Sequence, residues 1–211
     1  MARSNDIKQR TIKAARELFF QQDYTHVSIN DIIKKADISK KTLYRYFECK
    51  DDILIEVVDD FTYKLTSSIN EFLMREDIEF PEKLKIIFTN TAVALSKISP
   101  CFMNNIRYSS PEAWKKVTSY KRDISKMCFS FLMDEGIKKG HISKNINKDI
   151  ALITFLSAVE SLFDPSFLDQ LPKDMVARIP RSPKDLFDGI VKVIYEGILS
   201  EEAKKKYLYN V

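Results

Sequence analysis

A cluster of cationic, hydroxyl and aromatic side chains lies between residues 39 and 47, and its residue types could bind another molecule. If this segment is a helix turning about 100° per residue, Leu43 and Phe47 share one face because they are four residues apart. The opposite face and its flanks then carry Lys41, Arg45, Thr42 and Tyr44. Long cations reach phosphate oxygens and guanine acceptors, and Thr and Tyr contact thymine methyl groups, base edges and phosphates. The pattern therefore predicts a DNA-binding face.

The local signals around this segment predict a helix-turn-helix. Ser28 and Asp31 form a capping-box pattern that begins a short helix ending at Ala36. A tight turn follows, and Ser39 caps a second helix over residues 40–47. Two short helices joined by such a turn place the second helix in the DNA major groove.

The distribution of charge favours the same interpretation. Residues 1–50 hold eleven Lys or Arg and six Asp or Glu, whereas the other 161 residues hold 23 and 24. The overall charge of +4 therefore combines +5 at the N-terminal end with −1 elsewhere. Ser39 and Lys50 at helix N-termini suit phosphate oxygens. The alternative is a solvated cationic face on an ordinary helical hairpin.

Other chemistries find little support in the sequence. All four glycines lie beyond residue 135, so the N-terminal part has no phosphate-binding glycine loop. Two separated His and three distant Cys give no metal spacing and no disulfide framework, and no catalytic set emerges. We expect no enzyme, metal or cofactor, and we expect free, buried thiols. The charged N-terminus and short apolar runs predict a cytoplasmic chain without a signal peptide or membrane span.

The elements that must position these residues are all helical. Spacings of three and four recur along the chain, and prolines punctuate the helices, with one predicted over residues 82–99 before Pro100 and another from Pro111 to Gly136–Gly140. The fold class is all-α, with an N-terminal three-helix module and a larger C-terminal helical bundle. We expect a helix-turn-helix DNA-binding domain over residues 1–50 and a ligand-binding and dimerisation domain over residues 51–211.

Three stretches of the N-terminal part resemble one family of proteins. They are Ala14-Ala15-Arg16-Glu17-Leu18-Phe19, then Ser28-Ile29-Asn30-Asp31-Ile32, then Ile38-Ser39-Lys40-Lys41-Thr42-Leu43-Tyr44-Arg45-Tyr46-Phe47 with Lys50. This pattern, over about residues 7–60, is similar to the TetR family of transcriptional regulators. The resemblance implies a homodimeric all-helical repressor that binds a palindromic double-stranded DNA operator and a small inducer.

The resemblance also implies roles for individual residues. The positions at which the family contacts DNA are occupied here by Ser28, Ser39, Lys40, Thr42, Tyr44, Tyr46 and Lys50. With the outward cations Lys41 and Arg45, they form the predicted DNA site. Leu43 and Phe47 fall where the family packs the module.

Several positions depart from the family pattern. Asp23 and Asp37 stand where the family often has Gly, and Asp tolerates the left-handed backbone that such turns use. Lys41 also replaces a frequent Gly, which makes it a candidate specificity residue. Cys49 stands at a common helix-capping position.

The C-terminal part is predicted to bind a small hydrophobic or aromatic ligand among residues 81–163. Aromatic and Met side chains suited to an apolar cavity are Phe88, Phe102, Met103, Tyr108, Trp114, Tyr120, Met127, Phe131 and Phe155. The alternative is that most of them fill the core. The helix over residues 150–163 is apolar on several faces, and the resemblance implies that it and the last helix form the homodimer interface. A single monomeric core is the alternative there.

Three function classes stay open at this point. The first is a ligand-responsive repressor, with a constitutive regulator or activator without an inducer as its nearest alternative. The second is an enzyme, and the third is a helical protein-interaction module whose basic end is only a solvated surface.

Overall fold

The computed structural model of the protein describes residues 2–95 and 97–196. Within those residues every regular element is a helix, which confirms the all-α prediction. The helices are, in chain order, α1 (Ala2–Gln21), α2 (Ile29–Ala36), α3 (Lys40–Leu43), α4 (Lys50–Leu73), α5 (Phe80–Leu95), α6 (Pro100–Ser109), α7 (Pro111–Lys138), α8 (Lys148–Phe163), α9 (Pro165–Leu168), α10 (Lys173–Val176) and α11 (Pro183–Glu196).

Helices α1 to α3 and the first turns of α4 surround one apolar core, and we call these elements the helix-turn-helix module. Its core holds Phe19, Ile32, Leu43 and Ile53, none of which has exposed surface. The buried positions on α1, α2 and α4 recur at helical spacing, so each helix turns one apolar stripe inward. The predicted domain boundary at residue 50 falls at the start of α4, although the first turns of that helix complete the core of the module.

The second half of α4 leaves the module and enters another apolar core. There Leu65, Ile69 and Leu73 pack with Leu84 of α5 and Leu132 of α7. Helix α4 is therefore shared by both cores and joins the module to the C-terminal bundle.

Two helix boundaries differ from the sequence prediction. The second helix of the helix-turn-helix ends at Leu43 rather than at Phe47. The turn beyond it tightens to i→i−3 bonds, such as Tyr46 N to Leu43 O at 2.9 Å. The helix predicted over residues 82–99 is α5, which ends at Leu95. Pro100 then begins α6, because Pro lacks only a donor that the first turn leaves unpaired.

A buried ion pair ties the elements of the second core together. Lys83 is 2% exposed, and its Nζ donates to both carboxylate oxygens of Glu135, at 2.9 and 3.0 Å, and to Leu73 O at 3.1 Å. Burial raises the pKa of Glu135, but the hydrogen bonds from Lys139 and Lys83 outweigh it and hold that pKa below its ordinary value. Glu135 therefore stays ionised at neutral pH, and its pairing with Lys83 links α4, α5 and α7.

The cysteines are free, but two of them are not buried. Cys49 precedes the first turn of α4, and Cys101 lies in the first turn of α6. Both are exposed, so the expectation of buried thiols is wrong for these two residues. Cys128 on α7 is half-buried, and burial raises its pKa to about 11.

In the described part of the chain, no helix has the length and apolar character needed to cross a membrane. The same residues contain no group of three His, Cys, Asp or Glu side chains that could hold a metal ion. The helical spacing of apolar residues in the last helix continues in the sequence to Ile198, and its part beyond Glu196 lies outside the described residues.

Candidate nucleic-acid interface

The first helix of the helix-turn-helix begins at the capping box that the sequence predicts. Asp31 N donates to Ser28 Oγ at 3.2 Å, and Ser28 N donates to Asp31 Oδ2 at 2.9 Å. The bonds from the Ser28 hydroxyl and amide lower the pKa of Asp31. The box satisfies two amides that the helix itself leaves unpaired and so fixes where α2 begins.

The turn between α2 and α3 uses a left-handed residue. Asp37 has φ 52° and ψ 57°, and its amide contacts the last carbonyls of α2. Asp37 therefore adopts the conformation for which the family pattern favours Gly. Asp23, at the other departure, does not have a positive φ. Its carboxylate instead accepts the amide of Thr25 at 3.1 Å and so forms a local turn.

The second helix begins at Ser39, whose Oγ accepts the amide of Thr42 at 3.1 Å. The two hydroxyls also bond each other at 2.8 Å, and Ser39 is exposed. The first turn of α3 is therefore capped at the surface, where its hydroxyl oxygens and free amides can meet a phosphate.

The outward face of this segment comprises Lys40, Lys41, Tyr44 and Arg45, which are all exposed. Tyr44 is 45% exposed, whereas Leu43 on the opposite side has no exposed surface. The predicted division is confirmed for the buried Leu43 and for the exposed Lys41, Tyr44 and Arg45, whereas Thr42, predicted on a flank, is half-buried. We use "outward face" below for these four residues.

Tyr46 has a different position from the other predicted DNA contacts. It is half-buried and packs against the module core, and the guanidinium of Arg45 lies 5.9 Å from its ring centroid. Tyr46 thus contacts the guanidinium of Arg45 through a cation–π interaction.

Lys50 is held inside the module rather than extended into solvent. Its Nζ donates to Tyr24 O at 2.9 Å and to Val27 O at 3.0 Å, and it lies 4.2 Å from the Tyr24 ring centroid. Burial lowers the pKa of Lys50. The Tyr24 hydroxyl in turn donates to Asp51, and burial and this bond raise the pKa of Tyr24. Lys50 therefore anchors the loop between α1 and α2.

Two cationic contacts that the sequence did not reveal also brace the module. Arg10 on α1 donates from Nη2 to Ala36 O at 2.8 Å and to Asp37 O at 2.9 Å. Lys35 on α2 pairs with Glu17 on α1 at 3.0 Å, and the hydrogen bond from Lys35 lowers the pKa of Glu17. These partners lie far apart in sequence, so no local pattern indicates them. Together they fix the turn before α3.

The residues predicted to line a ligand pocket lie in different parts of the structure. Phe102 belongs to the core of the helix-turn-helix module, and Met103 and Trp114 pack against it. Tyr120 packs against the second core, and its oxygen accepts the hydroxyl of Thr66 at 3.4 Å. Burial raises the pKa of Tyr120.

The remaining candidates lie further out. Tyr108, Met127 and Phe131 are exposed, and Phe155 of α8 stacks on Phe129 of α7 with ring centroids 6.3 Å apart. The side chain of Phe88 lies outside the described residues. The structure therefore brings only some of these residues near one another, and the pocket stays a prediction.

Among the described residues, two surface clefts are lined by side chains other than these candidates. One, of about 200 Å³, lies between α1 and α4 and is bordered by Arg10, Lys13 and Arg16. The other, of about 610 Å³, lies along α5 and reaches Lys184 of α11. Both are open to solvent, unlike an enclosed apolar pocket.

Helix α8 exposes apolar side chains that a monomer leaves uncovered. Ile150 and Ile153 are each 63% exposed, and Val193 on the contacting helix α11 is 54% exposed. The exposed α8 residues Ile150, Ile153, Thr154 and Ser157 are spaced as one face of the helix. We call the exposed Ile150, Ile153 and Val193 the apolar outer face.

The chain is similar in sequence to bacterial transcriptional regulators. Residues 12–57 match the model of the bacterial regulatory proteins, tetR family. The chain is 23% identical over 194 residues to the fatty acid metabolism regulator protein of Bacillus subtilis (strain 168), covering 89% of this chain and 93% of that protein. It is 19% identical over 175 residues to the helix-turn-helix-type transcriptional regulator YvaF of the same organism, covering 83% of this chain and 87% of that protein.

Solved structures match over nearly the whole chain. FadR from Bacillus subtilis in complex with stearoyl-CoA has a TM-score of 0.68 and 19% identity, with 90% of this chain and 99% of that chain covered. FadR from Bacillus halodurans also has a TM-score of 0.68 and 19% identity, with 91% and 96% covered. At this identity the likeness shows a shared fold.

We expect Lys50→Met to lower the free energy of unfolding by about 1–2 kcal/mol, measured by urea denaturation. Two hydrogen bonds to a charged donor are lost, each worth about 1.5–3 kcal/mol. The net loss is smaller for two reasons. Lys50 is partly exposed, which weakens its bonds, and removing its positive charge from the N-terminus of α4 is itself favourable.

The control is Lys34→Met, because Lys34 is exposed on α2 and such surface changes stay within about 0.5 kcal/mol. Equal unfolding free energies for the two variants would contradict the anchoring role of Lys50.

Proposed function

Since the chain belongs to the TetR family of transcriptional regulators, we propose that it is a ligand-responsive repressor that binds a palindromic operator as a homodimer. The observation that carries the proposal is the exposed outward face, which is set on a capped helix whose other side is buried. Donor-rich side chains on such a helix suit the acceptors of the major groove. The proposal assigns the protein no catalytic step.

The proposed DNA contacts divide into two groups by chemistry. Lys41, Tyr44 and Arg45 extend from the outward face and are assigned to base edges or to the phosphates beside them. Phosphate contacts are assigned to Lys40 of the outward face and to residues that flank this face or lie at helix starts: Ser28, Ser39, Thr42, Tyr46 and Lys50. The anchoring of Lys50 by two carbonyls makes its contribution chiefly that of a fixed positive charge near the DNA.

A second copy of the chain is the proposed occupant of the apolar outer face. Exposing two isoleucines on one helix face is unfavourable, and burying each contributes about 1.5–3 kcal/mol. A two-fold dimer would also supply two helix-turn-helix modules, and half-sites one DNA turn apart require their reading helices about 34 Å apart.

The proposed ligand is a long-chain fatty acyl-CoA. This choice rests on the relatives, which include a fatty acid metabolism regulator and a FadR solved with stearoyl-CoA. An acyl chain is compatible with the aromatic and Met side chains predicted to line the pocket. Tyr108, Met127 and Phe131 are now exposed, whereas Phe102, Met103, Trp114 and Tyr120 lie in or against the two cores. The candidates are therefore proposed to rearrange around the ligand: Phe88, Phe102, Met103, Tyr108, Trp114, Tyr120, Met127, Phe131 and Phe155.

The proposed mechanism is a shift between two dimer states. One state spaces the two modules to match the operator, and the ligand binds the other more tightly. Ligand binding then weakens the affinity of the protein for the operator, by an amount set by the ratio of the ligand's affinities for the two states.

We expect Lys41→Ala and Tyr44→Ala each to weaken binding to an operator selected from a random duplex pool by about tenfold, or about 1.4 kcal/mol. Affinity is measured by fluorescence anisotropy between 50 and 200 mM salt, because over roughly this range phosphate contacts make the affinity fall steeply with salt. A base contact relaxes sequence preference at one position, whereas a phosphate contact lowers the salt slope by about one.

The matched control for Lys41→Ala is Lys126→Ala, which removes an exposed lysine from α7 in the C-terminal bundle. Wild-type affinity in both outward-face variants, with the fold intact, would rule out this face as the reader.

We expect the wild-type protein to have the mass of two chains in light scattering, and Ile150→Lys/Ile153→Lys to have the mass of one. Two charged side chains on the apolar outer face would have to be buried in the dimer without partners. Tyr63→Lys is the control, because Tyr63 is 72% exposed and lies on α4, which is not part of this face. A dimeric double variant would place the interface elsewhere.

We expect stearoyl-CoA to weaken operator binding of the wild-type dimer by about 5- to 150-fold, the usual range of coupling between two sites. Coenzyme A without an acyl chain serves as the control. Unchanged operator affinity at saturating stearoyl-CoA would contradict an acyl-CoA effector and favour a constitutive regulator or one with another ligand.

A further inference from the structure

Helix α6 has two faces, and the inner one packs against the helix-turn-helix module. Phe102 and Ile106 are 2% and 0% exposed and belong to the module core, and Asn105 lies beside them half-buried. The outer face carries the exposed residues Cys101, Asn104, Arg107 and Tyr108. Helix α6 is thus a C-terminal element docked onto the DNA-binding end.

The start of α6 is fixed to the end of α1. Ser99 caps α6 through its Oγ, which accepts the amide of Phe102 at 3.1 Å, while its own amide donates to Phe20 O at 2.9 Å. The rings of Phe20 and Phe102 meet edge to face with centroids 5.2 Å apart. These contacts fix where α6 lies but are not directed at the loop that follows α1.

One polar contact does reach that loop. The side-chain amide of Asn105 donates to the carboxylate of Asp23. The same carboxylate accepts the amide and the hydroxyl of Thr25, at 3.1 and 2.6 Å. Burial raises the pKa of Asp23, but these hydrogen bonds outweigh burial and keep the pKa below its ordinary value, so the acceptor is charged at neutral pH. Hydrogen bonds to a charged acceptor are roughly twice as strong as neutral ones.

The loop held by Asp23 leads directly into α2, which is followed by α3. Its carbonyls at Tyr24 and Val27 are bound by Lys50, and Ser28 at its end caps α2. The loop is therefore held from α4 by Lys50 and from α6 by Asn105. A displacement of α6 pulls on one of these two attachments and leaves the other in place.

We propose that the Asn105–Asp23 contact couples the position of α6 to the orientation of α2 and α3, by a route that does not pass through α4. This inference rests on the proposed function, because it concerns how the C-terminal domain alters operator binding. Asn105 acts here as a positioning residue, because its side chain bonds to Asp23 in the loop and not to a residue of the outward face. Because thermodynamic coupling between two sites is reciprocal, operator binding must in turn stabilise the docked position of α6.

The experiment is hydrogen–deuterium exchange of the full-length protein with and without the selected operator duplex, with stearoyl-CoA absent. In the wild type, operator binding slows exchange of the amides in residues 99–109 by at least about fivefold, the lower end of typical coupling. In Asn105→Asp, two carboxylates face each other, and the slowing falls below about twofold. Asn104→Asp makes the same chemical change on the outer face and behaves as the wild type.

The exchanged pair Asp23→Asn/Asn105→Asp separates coupling from loss of packing. It restores an amide opposite a carboxylate, and we expect it to recover most of the operator-dependent protection of residues 99–109. Operator binding without protection there in the wild type, or full protection in Asn105→Asp, overturns the coupling alone. Failure of the wild type to bind any duplex overturns the proposed function, and the coupling with it.

Discussion

The burial of Leu43 and Phe47 is the constraint on which the rest of the N-terminal structure depends. These side chains are 0% and 2% exposed in a core shared by α1, α2, α4 and α6. Because they pack one side of residues 40–47 inward, the other side, with Lys41 and Arg45, is turned to solvent. The cationic contacts from Arg10 and Lys50 then hold this short segment in place, which its own few hydrogen bonds cannot do.

The same core also joins the two parts of the protein. Helix α4 leaves the module and continues into the bundle, while α6 returns from the bundle and contributes Phe102 and Ile106 to the module. A change in the bundle therefore has two physical paths to the reading helices. Packed cores switch between discrete arrangements rather than deforming smoothly, which suits a regulator with two states.

Local features of this fold could be predicted from the sequence, and distant ones could not. The capping box at Ser28, the cap at Ser39 and the buried face of α3 depend on residues within four positions, so spacing indicates them. The anchoring of Lys50 and the Asn105–Asp23 bond join residues 23 to 82 positions apart, and no pattern in the sequence indicates such partners. The ligand site is harder still, because aromatic and Met residues fill cores and line pockets alike.

We propose above all that the outward face, formed by α3 and the turn after it, reads DNA in a dimer. The most direct measurement is a structure of the protein bound to its selected palindromic duplex. Our account predicts Lys41 and Tyr44 in two successive major grooves about 34 Å apart, with the two copies joined at Ile150 and Ile153. A complex in which DNA contacts another surface, or a single copy occupies the palindrome, would contradict it.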